Sequence, residues 1–210
     1  MRIVRAALGW SRPAAALVVQ AMLVAPAAVR AQTAVPPAAF QSGTLSFHGR
    51  ATVGDFVGTA SMITGAIAGG PDLASTTGWV EAPVATLVTG NAHRDRDLRG
   101  SMETDTHPTM RFDLTGSTLA TRVPLGDGDS SVVCLHGQLA IHGVARHVDI
   151  PATVVRRAGT THVAAQFPLN LNDYRIGGLT KMFGLLRMEP DIDVHVDLRF
   201  VDRADLGRDP

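Results

Sequence analysis

The residues equipped for chemistry are few and scattered. Eight histidines are present; His93 and His107 flank one charged segment, and His142 and His147 flank one glycine-containing turn. Zinc-type sites draw on short fixed spacings, and neither HxH nor HExxH occurs, so no native metal site is expected. A lone histidine on a strand reads instead as a surface or hydrogen-bonded residue. No GxSxG elbow supplies an activated serine. Cys134 is the single cysteine, which excludes an intrachain disulfide and reads as a small buried apolar residue. Asp173-Tyr174-Arg175 is the nearest approach to a polar cluster and reads as a turn. Nothing here pairs a nucleophile with a base, so the chain is not read as an enzyme.

Two further groups bear on binding. Arg94, Asp95, Arg96 and Asp97 alternate in sign; such a run can hold a charged ligand, fix a helix by ion pairs, or lie solvated. Leu179 to Met188 is unusually apolar for a connection and carries Lys181, Met182, Phe183 and Arg187. It can form a portal or touch a membrane edge, with a cation meeting a phosphate or quinone head, or it can fold back over the body of the protein.

The elements that position these groups follow from local pattern. Asn91 caps a short helix after the Thr89-Gly90 break, and Pro108 ends the helical stretch, which is expected over residues 91–106. Around it lie extended segments at about 44–53, 55–68, 76–88, 109–120, 131–142, 144–157, 160–171 and 189–201. In the last, Ile192, Val194, Val196, Leu198 and Phe200 alternate with Asp191, Asp193, His195, Asp197 and Arg199. Side chains of a strand alternate between faces, so one face is dry and the other charged. Val163, Ala165, Phe167, Leu169 and Leu171 repeat the rhythm, and Val133, Leu135, Leu139 and Ile141 do so more weakly. Ile141-His142-Gly143-Val144 and Arg157-Ala158-Gly159-Thr160 read as tight turns, and Leu125 to Asp129 as a longer one. Half-wet strands with short connections predict an all-β antiparallel fold. Eight of them close into a barrel, with an interior either filled by side chains or holding one slender ligand, or stack as a sandwich; the alternation does not choose.

Arg2, Arg5 and Arg12, the uncharged run Pro13 to Ala25 and the small residues of Val29-Arg30-Ala31 have the layout of a secretory signal peptide over 1–31. A periplasmic or secreted location after cleavage is expected. Without that segment's four arginines, residues 32–210 carry 15 basic and 19 acidic side chains, which argues against a nucleic-acid partner. Residues 32–42, rich in Ala and Pro, read as a flexible lead-in, 43–201 as the barrel domain, and 202–210 as a polar tail. An outer-membrane barrel is disfavoured by the acids in series on the last strand and by nine scattered aromatics with no girdle.

Three motifs then carry a resemblance. Thr89-Gly90-Asn91, Arg94-Asp95, Leu98-Arg99, Pro108 and Phe112 form one; Gly137 to Val144 with Val148 and Pro151 form another; Asn172 to Ile176 form the third. In this order, over roughly residues 43–201, they resemble the YceI-like family. Arg175 stands where that family usually has Gly, and Thr106-His107 precedes Pro108 in place of an aromatic.

The resemblance implies a lipocalin-like, eight-stranded antiparallel barrel with a helical segment near one end. It also implies an exported protein that holds a long isoprenoid or quinone-type lipid in its lumen, for transport, storage or envelope stress protection, with no required cofactor and no catalytic residues. On that reading the lumen and portal residues are Phe112, Phe167, Leu169, Tyr174, Ile176, Lys181, Met182, Phe183, Val194, Val196 and Leu198. Burying a third of a forty-carbon chain contributes on the order of 10 kcal/mol gross against water. Transfer from a bilayer is near neutral, so selectivity must come from cavity shape and the polar head. The reading admits transient membrane contact and a homodimer. A ligand-free stress or protein-contact barrel and a lipid-acting hydrolase stand as alternatives.

Overall fold

The computed structural model describes residues 34–52, 54–119, 128–177, 180–181 and 186–205, with backbone alone at 180–181 and 186–187. The leader, the start of the lead-in, most of the 125–129 turn, the portal residues Met182 and Phe183, and the last five residues lie outside this set. In chain order the elements are β1 (Ala38–Gly49), β2 (Phe56–Ala60), β3 (Thr64–Gly69), β4 (Thr77–Pro83), α1 (Ala92–Ser101), β5 (Thr109–Leu119), β6 (Ser130–Ile141), β7 (Val144–Arg157), β8 (Thr160–Asn170), β9 (Thr180–Lys181), β10 (Leu186–Arg187) and β11 (Asp191–Asp202).

Among the described residues the main sheet runs β11-β8-β7-β6-β5-β4-β3-β1 and closes by pairing β1 with β11, so the chain forms a closed eight-stranded antiparallel barrel. Closure removes the free sheet edges that a sandwich would keep. β2 and β3 are two halves of one stave. The register that sets Leu45 against Ala60 in β2 continues to Ala38 against Ile67 in β3. Between them Met62 takes a left-handed φ of 58° with its side chain 74% exposed. The kink lets β2 leave β4 and bridge Thr59 to Val88 instead.

Two hairpins are built for the sheet's twist. His142-Gly143 (φ 52° and 70°) and Ala158-Gly159 (φ 47° and 71°) both place two successive residues at positive φ, the turn whose handedness matches twisted antiparallel strands. The α1 cap is as expected: the Asn91 side chain accepts from the backbone N–H of His93 and Arg94. The helix stops at Ser101, and Met102 to Thr106 are turns rather than a further helical stretch.

The boundaries of the barrel reach beyond those expected. β1 begins at Ala38, inside the stretch read as a lead-in, because Ala38 is 1% exposed and pairs with Asp202. Val35 is buried as well and bridges to Gly70. Asp202, read as the first residue of a polar tail, is the last residue of β11. Its carboxylate is 2.6 Å from Arg156 Nη2, with both side chains largely buried, so a buried acid there is paired rather than left as a lone charge.

The α1 connection, the β6–β7 turn and the β8–β11 connection share one end of the barrel, called the upper end below. At the other end, residues 70–76 fold across as a floor. The Ser117 hydroxyl and N–H donate to the carbonyls of Leu73 and Ala74. The Ser75 hydroxyl and N–H donate to Asp72, which holds its carboxyl below the usual range.

Candidate functional site

The inward faces of the staves do not meet across the barrel. A cavity of about 490 Å³ runs from Val35 and Leu73 at the floor to α1 and Phe56 at the upper end, within the roughly 300–1,000 Å³ typical of small-molecule sites. Burial along β11 records the hollow. Ile192 (7% exposed), Leu198 (4%) and Phe200 (3%), toward its two ends, are fully buried, whereas Val194 and Val196 at mid-height are only half-buried. Val163, Ala165 and Phe167 on β8 are half-buried in the same way. These side chains touch neighbours on their own wall and face open space, as a packed interior would not allow.

Most residues singled out from the sequence are on this wall. Phe112, Phe167, Leu169, Ile176, Val194, Val196 and Leu198 all line the cavity. Tyr174 does not: it is 2% exposed and packs in the core of the upper end, where burial pushes its phenol above the usual range. Lys181 lies in the short β9–β10 pair, with its backbone alone described, and Met182 and Phe183 fall outside the described residues.

Asp173 and Tyr174 lie in a 3-10 turn over 171–174, as the turn reading of that cluster requires. Arg175 follows it at φ 56°, ψ 27°. That left-handed conformation carries no penalty for Gly, which accounts for the glycine usual at this position in the family it resembles.

The helix, expected only as a segment near one end of the barrel and not among the lumen residues, lines the cavity as well. Asn91, His93, Arg94, Asp97 and Ser101 give the upper end of the cavity a polar rim, and Leu98 reaches in beside them. The charged run is therefore neither uniformly solvated nor a row of simple ion pairs. Asp95 is buried and accepts from the Thr89 N–H at 2.7 Å and the Thr89 hydroxyl at 2.5 Å. These bonds, the hydroxyl foremost, with Arg99 and Arg94 nearby, hold its carboxyl below the usual range. Arg94 donates to Thr89 Oγ1 (2.8 Å) and to the Thr89 carbonyl (2.9 Å), and its guanidinium lies 4.2 Å from the Phe56 ring centroid. A cation over an aromatic face, with further hydrogen bonds, fixes the helix start against the rim. The signal available in advance was Leu98, the lone large apolar residue of a charged helix.

A closed antiparallel barrel with a hollow apolar interior and a polar rim at one end defines a lipocalin-like class of protein. A model of the YceI-like domain matches residues 35–200, and the chain belongs to that family. No curated protein matches it. Among solved structures it is similar to a polyisoprenoid-binding domain from Saccharophagus degradans implicated in plant cell wall breakdown, at 17% identity, covering 80% of this chain and 99% of that one, with a TM-score of 0.63. It is also similar to Burkholderia cenocepacia BcnA, at 15% identity, covering 75% and 95%, with a TM-score of 0.59. The YceI protein of Campylobacter jejuni matches at 16% identity, covering 68% and 82%, with a TM-score of 0.52. At these identities the likeness concerns the fold. No described helix is long and apolar enough to cross a membrane.

Proposed function

We propose that this chain is an exported binding protein, not an enzyme, that holds a long apolar lipid of isoprenoid or quinone type in the barrel with its polar head at the α1 rim. The observation that carries the reading is the ring of half-buried apolar side chains facing a hollow of about 490 Å³. At roughly 30 Å³ per water-sized group, that space takes about sixteen chain carbons. Their burial contributes about 13 kcal/mol gross against water, and little against a bilayer. A longer chain would leave its remainder outside the cavity, so exchange with a membrane is part of the reading. The polyisoprenoid-binding domain of Saccharophagus degradans supports this choice of lipid class.

The test is mass spectrometry of an organic extract from the purified chain. A stoichiometric prenyl lipid is the expected result. An extract with no lipid, together with failure of the delipidated protein to take up an isoprenoid quinone from vesicles, overturns the reading.

A further inference from the structure

We propose that Glu103, His107 and His142 form a binding site for a divalent transition-metal ion at the upper end of the barrel, separate from the lipid cavity. The three residues come from different segments. Glu103 and His107 lie between α1 and β5, and His142 is in the β6–β7 turn. One ligating atom from each lies within 4.8 Å of the other two. His142 Nε2 is 3.7 Å from Glu103 Oε2, and His107 Nε2 is 3.9 Å from the same oxygen. The two imidazoles meet edge to face, with centroids 4.8 Å apart. First-row metals bind nitrogen and oxygen at about 2.0–2.2 Å, which sets tetrahedral ligand edges at roughly 3.3–3.5 Å. The two distances to Glu103 are wider by only a few tenths of an ångström, which Glu103, with its side chain 59% exposed, is free to close, and the two imidazole nitrogens, within 4.8 Å of each other, come to the same spacing by a rotation of the His107 side chain.

The decisive group is His142. Its side chain is only 9% exposed, and its Nδ1 lies 3.1 Å from the carbonyl oxygen of Tyr174. A carbonyl only accepts, so Nδ1 carries the hydrogen, and in the neutral ring Nε2 presents a bare lone pair. That atom is buried with no hydrogen-bond partner. A buried acceptor left unpaired is costly, and an imidazole oriented by a backbone carbonyl through its other nitrogen is the usual arrangement of a metal ligand. His107 is held in place by packing: a Cβ on Gly143 would fall 2.6 Å from its ring.

A second cluster shows the contrast. Cys134, His136 and Asp149 also converge, but His136 Nε2 is 2.5 Å from Thr118 Oγ1 and its Nδ1 is 2.7 Å from Asp149. Both of its nitrogens are already engaged, so that cluster offers no free lone pair from its imidazole. Two imidazoles and one carboxylate suit Zn²⁺, Co²⁺ or Ni²⁺ rather than Mg²⁺ or Ca²⁺, and they leave a fourth position open. An ion there would tie the α1–β5 connection to the β6–β7 turn.

The experiment is a Co²⁺ titration of the tag-free chain followed by visible absorption, with Zn²⁺ competition and calorimetry. One saturable ion per chain, with the intense bands of a low-coordinate site, is expected. His142→Asn keeps a residue that tolerates the left-handed backbone, and His107→Gln changes a more accessible ligand. Each should weaken binding at least tenfold, whereas His136→Ala should leave it unchanged. Circular dichroism reports whether each variant keeps the barrel, and His107→Gln decides the matter if His142→Asn does not fold. Absence of saturable binding overturns the proposal, as does equal binding by His107→Gln or loss of binding in His136→Ala.

Discussion

The emptiness of the barrel has a direct test in paired enlargement at its mid-height. Val196 on β11 and Ala165 on β8 are register partners, both half-buried and both on the cavity wall. Val196→Phe with Ala165→Leu adds about seven carbon groups, or roughly 200 Å³ at about 30 Å³ each, which is some two-fifths of the 490 Å³ available. Removing that many groups from a bound chain forfeits about 6 kcal/mol gross relative to water. The variant should therefore purify with at least tenfold less lipid per chain.

Stability moves the opposite way from an ordinary core enlargement. In a packed interior each such change costs about 1–3 kcal/mol, so the pair would lower Tm by about 5–20 °C in a domain of this size. In a hollow the new groups enter vacant space, and a change between zero and about +2 kcal/mol is expected, or up to about 8 °C upward. The comparison must use delipidated proteins, because bound ligand stabilises the wild type by mass action. Scanning calorimetry with lipid quantified on the same samples gives both numbers. A Tm lowered by 10 °C or so, or full lipid occupancy in the variant, refutes a hollow that the ligand fills.

Other outcomes follow from single contacts. Gly137→Ala would set its Cβ 2.5 Å from a Phe112 ring carbon, and denaturant unfolding should show a loss of about 1–3 kcal/mol. Asp202→Asn leaves Arg156 buried without its counter-charge and should cost about 3 kcal/mol, with part of it recovered when Arg156→Met is added; a double-mutant cycle in urea measures both. Because the folded-state pKa of Asp95 is lowered by Thr89, its stabilisation is present above the ordinary carboxylate pKa of about 4 and is lost as pH falls through the lower folded value. Between pH 5 and 2, Asp95→Asn should therefore lose stability less steeply than the wild type in pH-dependent urea midpoints.

The staves were legible because period-two alternation is a local property, and β5, β6, β7, β8 and β11 fall within two residues of where the alternation sets them. What failed was set by partners distant in sequence. Ala38 to Ser42 look like a flexible Ala/Pro-rich lead-in until β11 is laid beside them. The break at Ser61-Met62 carries neither Gly nor Pro, so nothing local marks the kink that splits the second stave. Glu103 and His107 are four residues apart, but nothing in the sequence joins that pair to His142, since the hairpin and the helix exit meet only after the barrel closes.

Alternation also could not separate a filled barrel from an open one, yet a second sequence property does so once the closure is known. Along β11 the inward residues run Ile192, Val194, Val196, Leu198, Phe200, large toward the ends and small at mid-height. β8 has its smallest inward residue, Ala165, directly opposite Val196 and sets Val163 opposite Leu198, while its one large mid-height residue, Phe167, stands opposite Val194. Eight staves fix the barrel's diameter regardless of which side chains point inward. The short side chains of Val194, Val196, Val163 and Ala165 therefore leave the axis beside them unfilled, while Leu198, Phe200 and Leu73 fill toward the floor and Ile192, Leu98 and Met102 fill toward the helix. The hollow is thus encoded in a cluster of short side chains on two neighbouring staves, and a chain with Leu or Phe at the positions of Val194, Val196, Val163 and Ala165 would keep this fold without the space for a lipid.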